Sequence, residues 1–306
     1  MEKIPVIVAP MFLVSTPKMV IEASRAGAIG SFPLLNARPV EACAKWLEEI
    51  RTALPTEDWA VNFACNKKSN TRYDKDLALI SQYQPPIVIT SLGHPGDVID
   101  VVKRYGGQVF SDVISVKHAK KAAEAGVDGL VLVCAGAGGH GGTLNPFGFY
   151  EEVRSFFDGK ITIVGSISSG RDVLAIKVLG ADYAYMGTRF IVSKESSTPE
   201  DYKNMVIDSS IKDIIYTNAF SGVHANYLIP SIVKSGLDPT QLESRNEVDL
   251  SHLVGVKAKA WRDVWSAGHG VGAIQKEQSV SEIVNQLKSE YEEALQQVRH
   301  LHEIKL

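Results

Sequence analysis

Cysteine is scarce in this chain, with three in 306 residues, at positions 43, 65 and 134. They are far apart and lack the paired spacing of zinc ligands, which argues against both a disulfide framework and a metal site. Long apolar runs are missing as well. No stretch approaches the roughly 18 uninterrupted apolar residues of a membrane helix, and the apolar part of the opening MEKIPVIVAP is too short for a signal-peptide core. An excess of basic charge is also lacking: 32 Lys and Arg stand against 35 Asp and Glu, for a formal net charge of −3. The basic residues are scattered over apparent helix faces, so neither nucleic acid nor a membrane is an expected partner. The expectation is a cytoplasmic protein whose partners are small molecules.

What is present is a repeated pattern. Three segments, Pro5 to Phe32, Gln108 to Val133 and Ile161 to Gly187, each run from a β-branched stretch through a loop and an amphipathic stretch to a small-residue turn. The turns AGAIG, AGVDG and LGADY occupy matching places, as expected where a helix ends on a left-handed glycine before the next strand. Filling the gaps predicts strands near 5–9, 28–32, 59–64, 86–91, 107–111, 129–133, 161–165 and 183–187. Helices are predicted near 17–26, 39–51, 74–83, 96–105, 117–125, 147–157 and 170–179. Eight strands alternating with helices predict an α/β fold, a closed (β/α)8 TIM barrel, over residues 1–198. A doubly wound open sheet is the alternative, disfavoured because glycine-rich loops recur along the whole length. Residues 199–251 read as a small helical insertion after the eighth strand, and 252–306 as C-terminal helices completing the barrel. The amphipathic stretch Ser279 to Ile304 could pack on the barrel or on a partner subunit, so a homodimer is possible.

The most unusual stretch is CAGAGGHGGT, Cys134 to Thr143, which sets His140 in a flexible loop among five glycines after the sixth strand. Glycines let backbone approach a ligand closely, and an imidazole exchanges protons near neutral pH. A mobile surface loop with an idle histidine is the bland alternative. A second constellation joins Gly165 and Ser166, after the seventh strand, to Gly187 and Thr188, after the eighth. Barrels often bind phosphate between these loops, and a helix starting near Gly170 would add its positive end; glycines serving only tight turns would look the same. Ala9 and Met11 after the first strand offer a small apolar edge for a planar ring, and Asn62 a side chain for a ring amide. His224 and Tyr227 become substrate-pocket candidates if the insertion caps the barrel. His94 and His118 read as turn and surface residues, and Cys134 as a buried small apolar one.

VIVAPM, Asn62, AGAGGHGG, GSISSG with MGTRF, and WSAGHGVG at Trp265 to Gly272 together resemble the nitronate monooxygenases, formerly called 2-nitropropane dioxygenases. The resemblance implies non-covalent FMN, with phosphate near Gly165, Ser166, Gly187 and Thr188, ring near Ala9, Met11 and Asn62, and Gly138 and Gly139 close to the flavin. It implies His140 as the active-site base or orienting group, O2 as co-substrate, and a carbonyl compound plus nitrite as products. Two departures stand out: Asp112 follows the fifth strand where relatives often carry a basic or amide side chain, and Val133 stands where some carry an acid. An anionic Asp112 beside the flavin would disfavour its reduced, anionic form. An NAD(P)H-dependent FMN reductase acting on quinones or enoyl thioesters is the alternative within enzymes, and a non-catalytic flavin-binding protein the alternative outside them.

Overall fold

The computed structural model describes residues 3–68, 70–245 and 262–301. Its strands in chain order are β1 (Val6–Val8), β2 (Gly30–Pro33), β3 (Trp59–Ala64), β4 (Ile87–Ser91), β5 (Gln108–Val113), β6 (Gly129–Val133), β7 (Gly139–His140), β8 (Lys160–Val164), β9 (Tyr183–Met186), β10 (Ile214–Thr217) and β11 (Ala225–Leu228). Eight of them form one parallel sheet in the order β1-β9-β8-β6-β5-β4-β3-β2. A parallel bridge between Ile7 and Ile29, just ahead of β2, joins the two ends into a barrel. The interleaved helices are α1 (Pro17–Arg25), α2 (Val40–Ala53), α3 (Tyr73–Tyr83), α4 (Gly96–Lys103), α5 (Val116–Ala125), α6 (Pro146–Arg154) and α7 (Gly170–Leu179). The expected (β/α)8 barrel is therefore the fold, and the open sheet is not.

Local chemistry explains the repeat. The Thr16 side chain accepts the Met19 N–H and Pro17 opens α1, Ser115 accepts from His118 at the start of α5, and Ser169 forms a capping box with Asp172 on α7. Gly126 and Gly180 end α5 and α7 at φ 86° and 105°, a region costly for any residue with a Cβ. The aspartates that follow these glycines have a task the sequence did not disclose. Asp128 accepts the Val109 N–H and Asp182 the Ile161 N–H, both at 2.8 Å, so each caps the start of the neighbouring strand.

Alternation along the short strands sorts the core into two layers. Ile7, Ile29, Ala60, Ile87, Ile89, Phe110, Val131, Val133 and Tyr185 fill the barrel interior. Val6, Val8, Val61, Val88, Val109, Leu130, Leu132 and Ile163 face outward to the helices.

After β9 come α8 (Thr188–Ile191) and α9 (Glu200–Asp208), then β10, β11 and α10 (Ile229–Lys234). These elements follow the eighth barrel strand, and between the helices lies a hairpin-like pair absent from the sequence reading. β10 pairs antiparallel with β11, and β11 pairs antiparallel with β7. Four-residue strands carry too little alternation to announce themselves. The long helix α11 (Val280–Leu301) packs on α7 and α1. The end of the inferred insertion, 246–251, and residues 252–261 and 302–306 lie outside the described residues.

Candidate active site

A cavity of about 1010 Å3 opens at the C-terminal ends of the barrel strands. Its lining brings together Ala9, Met11, Asn62, Asp112, Gly138, Gly139, His140, Gly165, Ser166, Gly187 and Thr188. Residues predicted from six different strand ends thus meet in one space, as a barrel requires.

The β8 and β9 end is a cradle of close backbone approaches. Gly165 has φ 135°, and a Cβ there would lie 2.6 Å from the Ala135 carbonyl oxygen; one on Gly136 (φ 81°) would lie 2.2 Å from Ser166 Oγ. Ser166 itself sits at φ 58°, in the left-handed region where a side chain is strained, a cost commonly found at binding sites. The segment resembling the family near the C-terminus closes this cradle. His269 donates its N–H to Gly136 O at 2.9 Å, Gly268 donates its N–H to Thr188 Oγ1 at 2.9 Å, and Ser168 Oγ donates to Gly270 O at 2.9 Å. The Thr188 hydroxyl, accepting from Gly268, keeps its own hydrogen to donate.

The helix expected to add its positive end does not do so. Protein carboxylates already take the α7 N-terminus: Gly170 N–H donates to Glu290 Oε2 at 2.7 Å, and the Ser168 and Ser169 N–H groups donate to Asp172 Oδ2 at 2.9 Å. A Cβ on Gly170 would lie 2.1 Å from the Leu287 carbonyl oxygen of α11. The long C-terminal helix therefore covers that end.

On the opposite wall, Asn62 Nδ2 donates to Ile89 O and Ser91 Oγ, both at 3.2 Å, which commits its amide hydrogens and leaves its oxygen as the acceptor for a ligand. Met11 and Ala9 pack over Gly187, where an added Cβ would meet Met11 Sδ at 3.4 Å. Asp112, at the end of β5, has a buried Oδ1 without a hydrogen-bond partner, and the buried Tyr185 hydroxyl has none either. Burial pushes the Asp112 carboxyl up to about 7.

His140 is not in a free loop. It forms β7 with Gly139 and is paired to Ala225 of β11, while Asn226 Nδ2 donates to Ala137 O at 2.7 Å and Tyr216 Oη donates to Gly141 O at 2.9 Å. Its Nε2 lies 3.1 Å from Ser221 Oγ. The same hydroxyl lies 3.1 Å from Val223 O, so the tautomer of His140 follows which of the two takes its hydrogen. Burial pushes His140 down to about 4, so the imidazole is neutral at neutral pH.

His224 and Tyr227 are not brought to the cavity. His224 is exposed and stacks on Tyr216 at 5.0 Å, and Tyr227 is buried against Phe220 in the small core of the insertion. The useful residues of SGVHANYL are Ser221, which lies before the strand, and Asn226, which period-two alternation along β11 would have separated from Ala225 and Tyr227. His94 and His118 reach the mouth of the cavity, beside Arg38 and Arg72. The three cysteines are free and buried, and Cys134 is pushed up to about 12 by burial, which makes it inert as a nucleophile. Among the described residues no cluster of His, Cys, Asp or Glu could hold a metal, and no helix is long and apolar enough to cross a membrane.

The family model for nitronate monooxygenase matches residues 1–290. Among relatives, a nitronate monooxygenase of Paraburkholderia phytofirmans is 25% identical over 346 aligned positions, covering 96% of this chain and 94% of that protein. A probable nitronate monooxygenase of Staphylococcus aureus is 29% identical over 194 positions, 60% of this chain and 54% of that one. Among solved structures, FabK from Thermotoga maritima superposes with a TM-score of 0.81 at 25% identity, covering 98% of this chain and 96% of that one. Nitroalkane oxidase from Streptomyces ansochromogenes gives 0.82 at 22% identity, over 96% and 97% of the two chains, a likeness of fold. With its barrel and its glycine cradle spanned by that match, the chain belongs to the nitronate monooxygenase family and is a flavin-dependent oxidoreductase.

Proposed function

We propose that the protein is an FMN-dependent nitronate monooxygenase, which oxidises alkyl nitronates with O2 to carbonyl compounds and nitrite. The observation that carries this reading is the cavity that joins the glycine cradle to a neutral His140 held by strand pairing. The residues fit the cofactor. Gly165, Ser166, Gly187 and Thr188 would hold its phosphate through backbone N–H groups and hydroxyls, and Ala9, Met11 and Asn62, with Gly138 and Gly139, would hold its ring. The bound flavin supplies the electron acceptor that O2 later reoxidises.

The protein's own part is positioning and proton management. Asn62 offers an amide oxygen to a ring N–H. His140, held beside Ser221, can take the α-proton of a neutral nitroalkane or, once protonated, hold an anionic nitronate. A base held near 4 is a weak acceptor, whereas an anion bound beside it raises its affinity for a proton. Nitronates therefore suit the site better than neutral nitroalkanes. The test is aerobic turnover of a small alkyl nitronate with simultaneous measurement of O2 uptake and nitrite. Stoichiometric nitrite supports the reading, and a flavin-loaded protein that releases none overturns it.

A second reading, an NAD(P)H-dependent reductase acting on quinones or enoyl thioesters, is favoured by the cavity volume of about 1010 Å3, generous for a small nitronate beside a flavin.

A further inference from the structure

We propose that Asp112 is a second proton-bearing group of this centre: it faces the bound cofactor as a carboxylic acid and donates a hydrogen bond to it from the oxygen that has no partner within the protein. The proposal rests on the flavin reading above and deepens it.

Three observations carry it. Asp112 is the penultimate residue of β5, at the C-terminal mouth of the barrel, and lines the same cavity as His140 and the glycine cradle. Its Oδ1 is buried without a hydrogen-bond partner, a costly state that a ligand in the cavity would relieve. Finally, no cation is coupled to it: Lys121, Arg38 and Arg72 line the wider cavity, yet burial alone sets its shift. The titratable groups coupled to it are Tyr185 on β9 and Cys65 after β3, and the cavity's lining also holds His140 on β7 and the buried Tyr202 on α9, whose hydroxyl burial pushes up. Tyr185 is held well above its ordinary value, Cys65 is pushed up to about 12 and His140 down to about 4, each chiefly by burial, so all three are neutral at pH 7.

A carboxylate in that setting would be an unpaired buried charge, and a ring closing the cavity would strip its remaining water. The protonated acid avoids this and gains a donor. Burial alone already brings Asp112 to about 7 before any ligand arrives, so the proton is taken from solvent as the site closes. The expectation of an anion beside the flavin is thereby replaced by that of a neutral donor. FMN binding should take up a proton, and affinity should fall as pH rises.

The experiment titrates apoprotein with FMN across about pH 5.5 to 8.5 for the unmodified chain, Asp112→Asn and Asp112→Ala, with circular dichroism confirming the fold of each. The phosphate of FMN ionises near 6 in every case, so the ratio of dissociation constants between proteins isolates Asp112. The amide of Asp112→Asn donates at every pH. The ratio of the unmodified Kd to that of Asp112→Asn should climb by about tenfold per pH unit above the midpoint. Asp112→Ala should bind FMN roughly tenfold more weakly than Asp112→Asn at every pH. A ratio constant within about twofold, or one that falls with pH as an anionic acceptor would give, overturns the inference while leaving flavin binding intact. An unmodified chain that takes up no FMN at any pH instead overturns the functional reading.

Discussion

Ala225 stands opposite His140 in an antiparallel register, so the insertion after the eighth barrel strand supplies the backbone that fixes the catalytic candidate. Ser221, four residues earlier, then meets the imidazole at 3.1 Å. The loop that a glycine count marks as flexible is rigid where it matters, because its neighbours in space lie about eighty residues downstream.

If His140 acts as the base, His140→Ala should retain flavin and lose about 10²- to 10⁴-fold in kcat/KM with a neutral nitroalkane. The loss with the corresponding nitronate, which has already shed its proton, should be much smaller. Equal losses on both substrates in a fully flavinated variant would remove the base from the account.

Ser221→Ala should leave the FMN dissociation constant unchanged and lower kcat by roughly tenfold, the scale of one lost orienting hydrogen bond. Steady-state kinetics at saturating substrate, with flavin content measured by absorbance, check this. A rise in KM with unchanged kcat would mean that Ser221 binds substrate instead of orienting His140.

Glu290→Ala should destabilise the protein by about 1 kcal/mol by uncapping α7, yet leave FMN affinity within twofold of the unmodified chain. Gly165→Ala should do the reverse to binding, because its Cβ would meet the Ala135 carbonyl oxygen at 2.6 Å in a backbone conformation at φ 135°. Denaturant melts and FMN titrations on both variants decide it. A phosphate held by the α7 terminus would instead make FMN affinity respond to Glu290.

Stability of the apoprotein should depend on pH with opposite signs at two residues. Asp112 is raised from 3.8 to about 7, so between those values the native state binds more protons and its contribution to stability falls as pH rises. His140 is lowered from 6.5 to about 4, so in that window the unfolded state binds more protons and stability falls as pH drops. Asp112→Asn should therefore gain stability over the unmodified chain from about pH 4 to 7, by roughly 4 kcal/mol at the top, measured by urea unfolding. A difference that is flat with pH would contradict the burial of that carboxyl.

The barrel was legible because each βα unit repeats the same local solutions. Ser169 with Asp172 starts a helix, Gly180 ends it, and Asp182 caps the neighbouring strand β8, all from within fourteen residues. The cradle was legible because Gly165 and Gly187 follow apolar strands in a fold that puts strand ends together. The support of His140 was not, since β10 and β11 are four residues long and gain their order from pairing with each other and with β7. Nor was the cover on α7, because Glu290 is 120 positions from Gly170 and looks like any charged residue on a helix. Long-range partners of this kind leave no periodic trace. Asp112 was visible as a departure, but its charge state depends on burial, which only the packed barrel reveals.

The central claim is that this flavin centre takes electrons from a nitronate. Anaerobic mixing of the FMN-loaded protein with an alkyl nitronate, and separately with NADH, while following the visible flavin absorbance, tests it most directly. The account predicts bleaching by the nitronate and none by NADH, with colour returning when O2 is admitted. Bleaching by NADH alone would contradict it and assign the protein to the reductase reading.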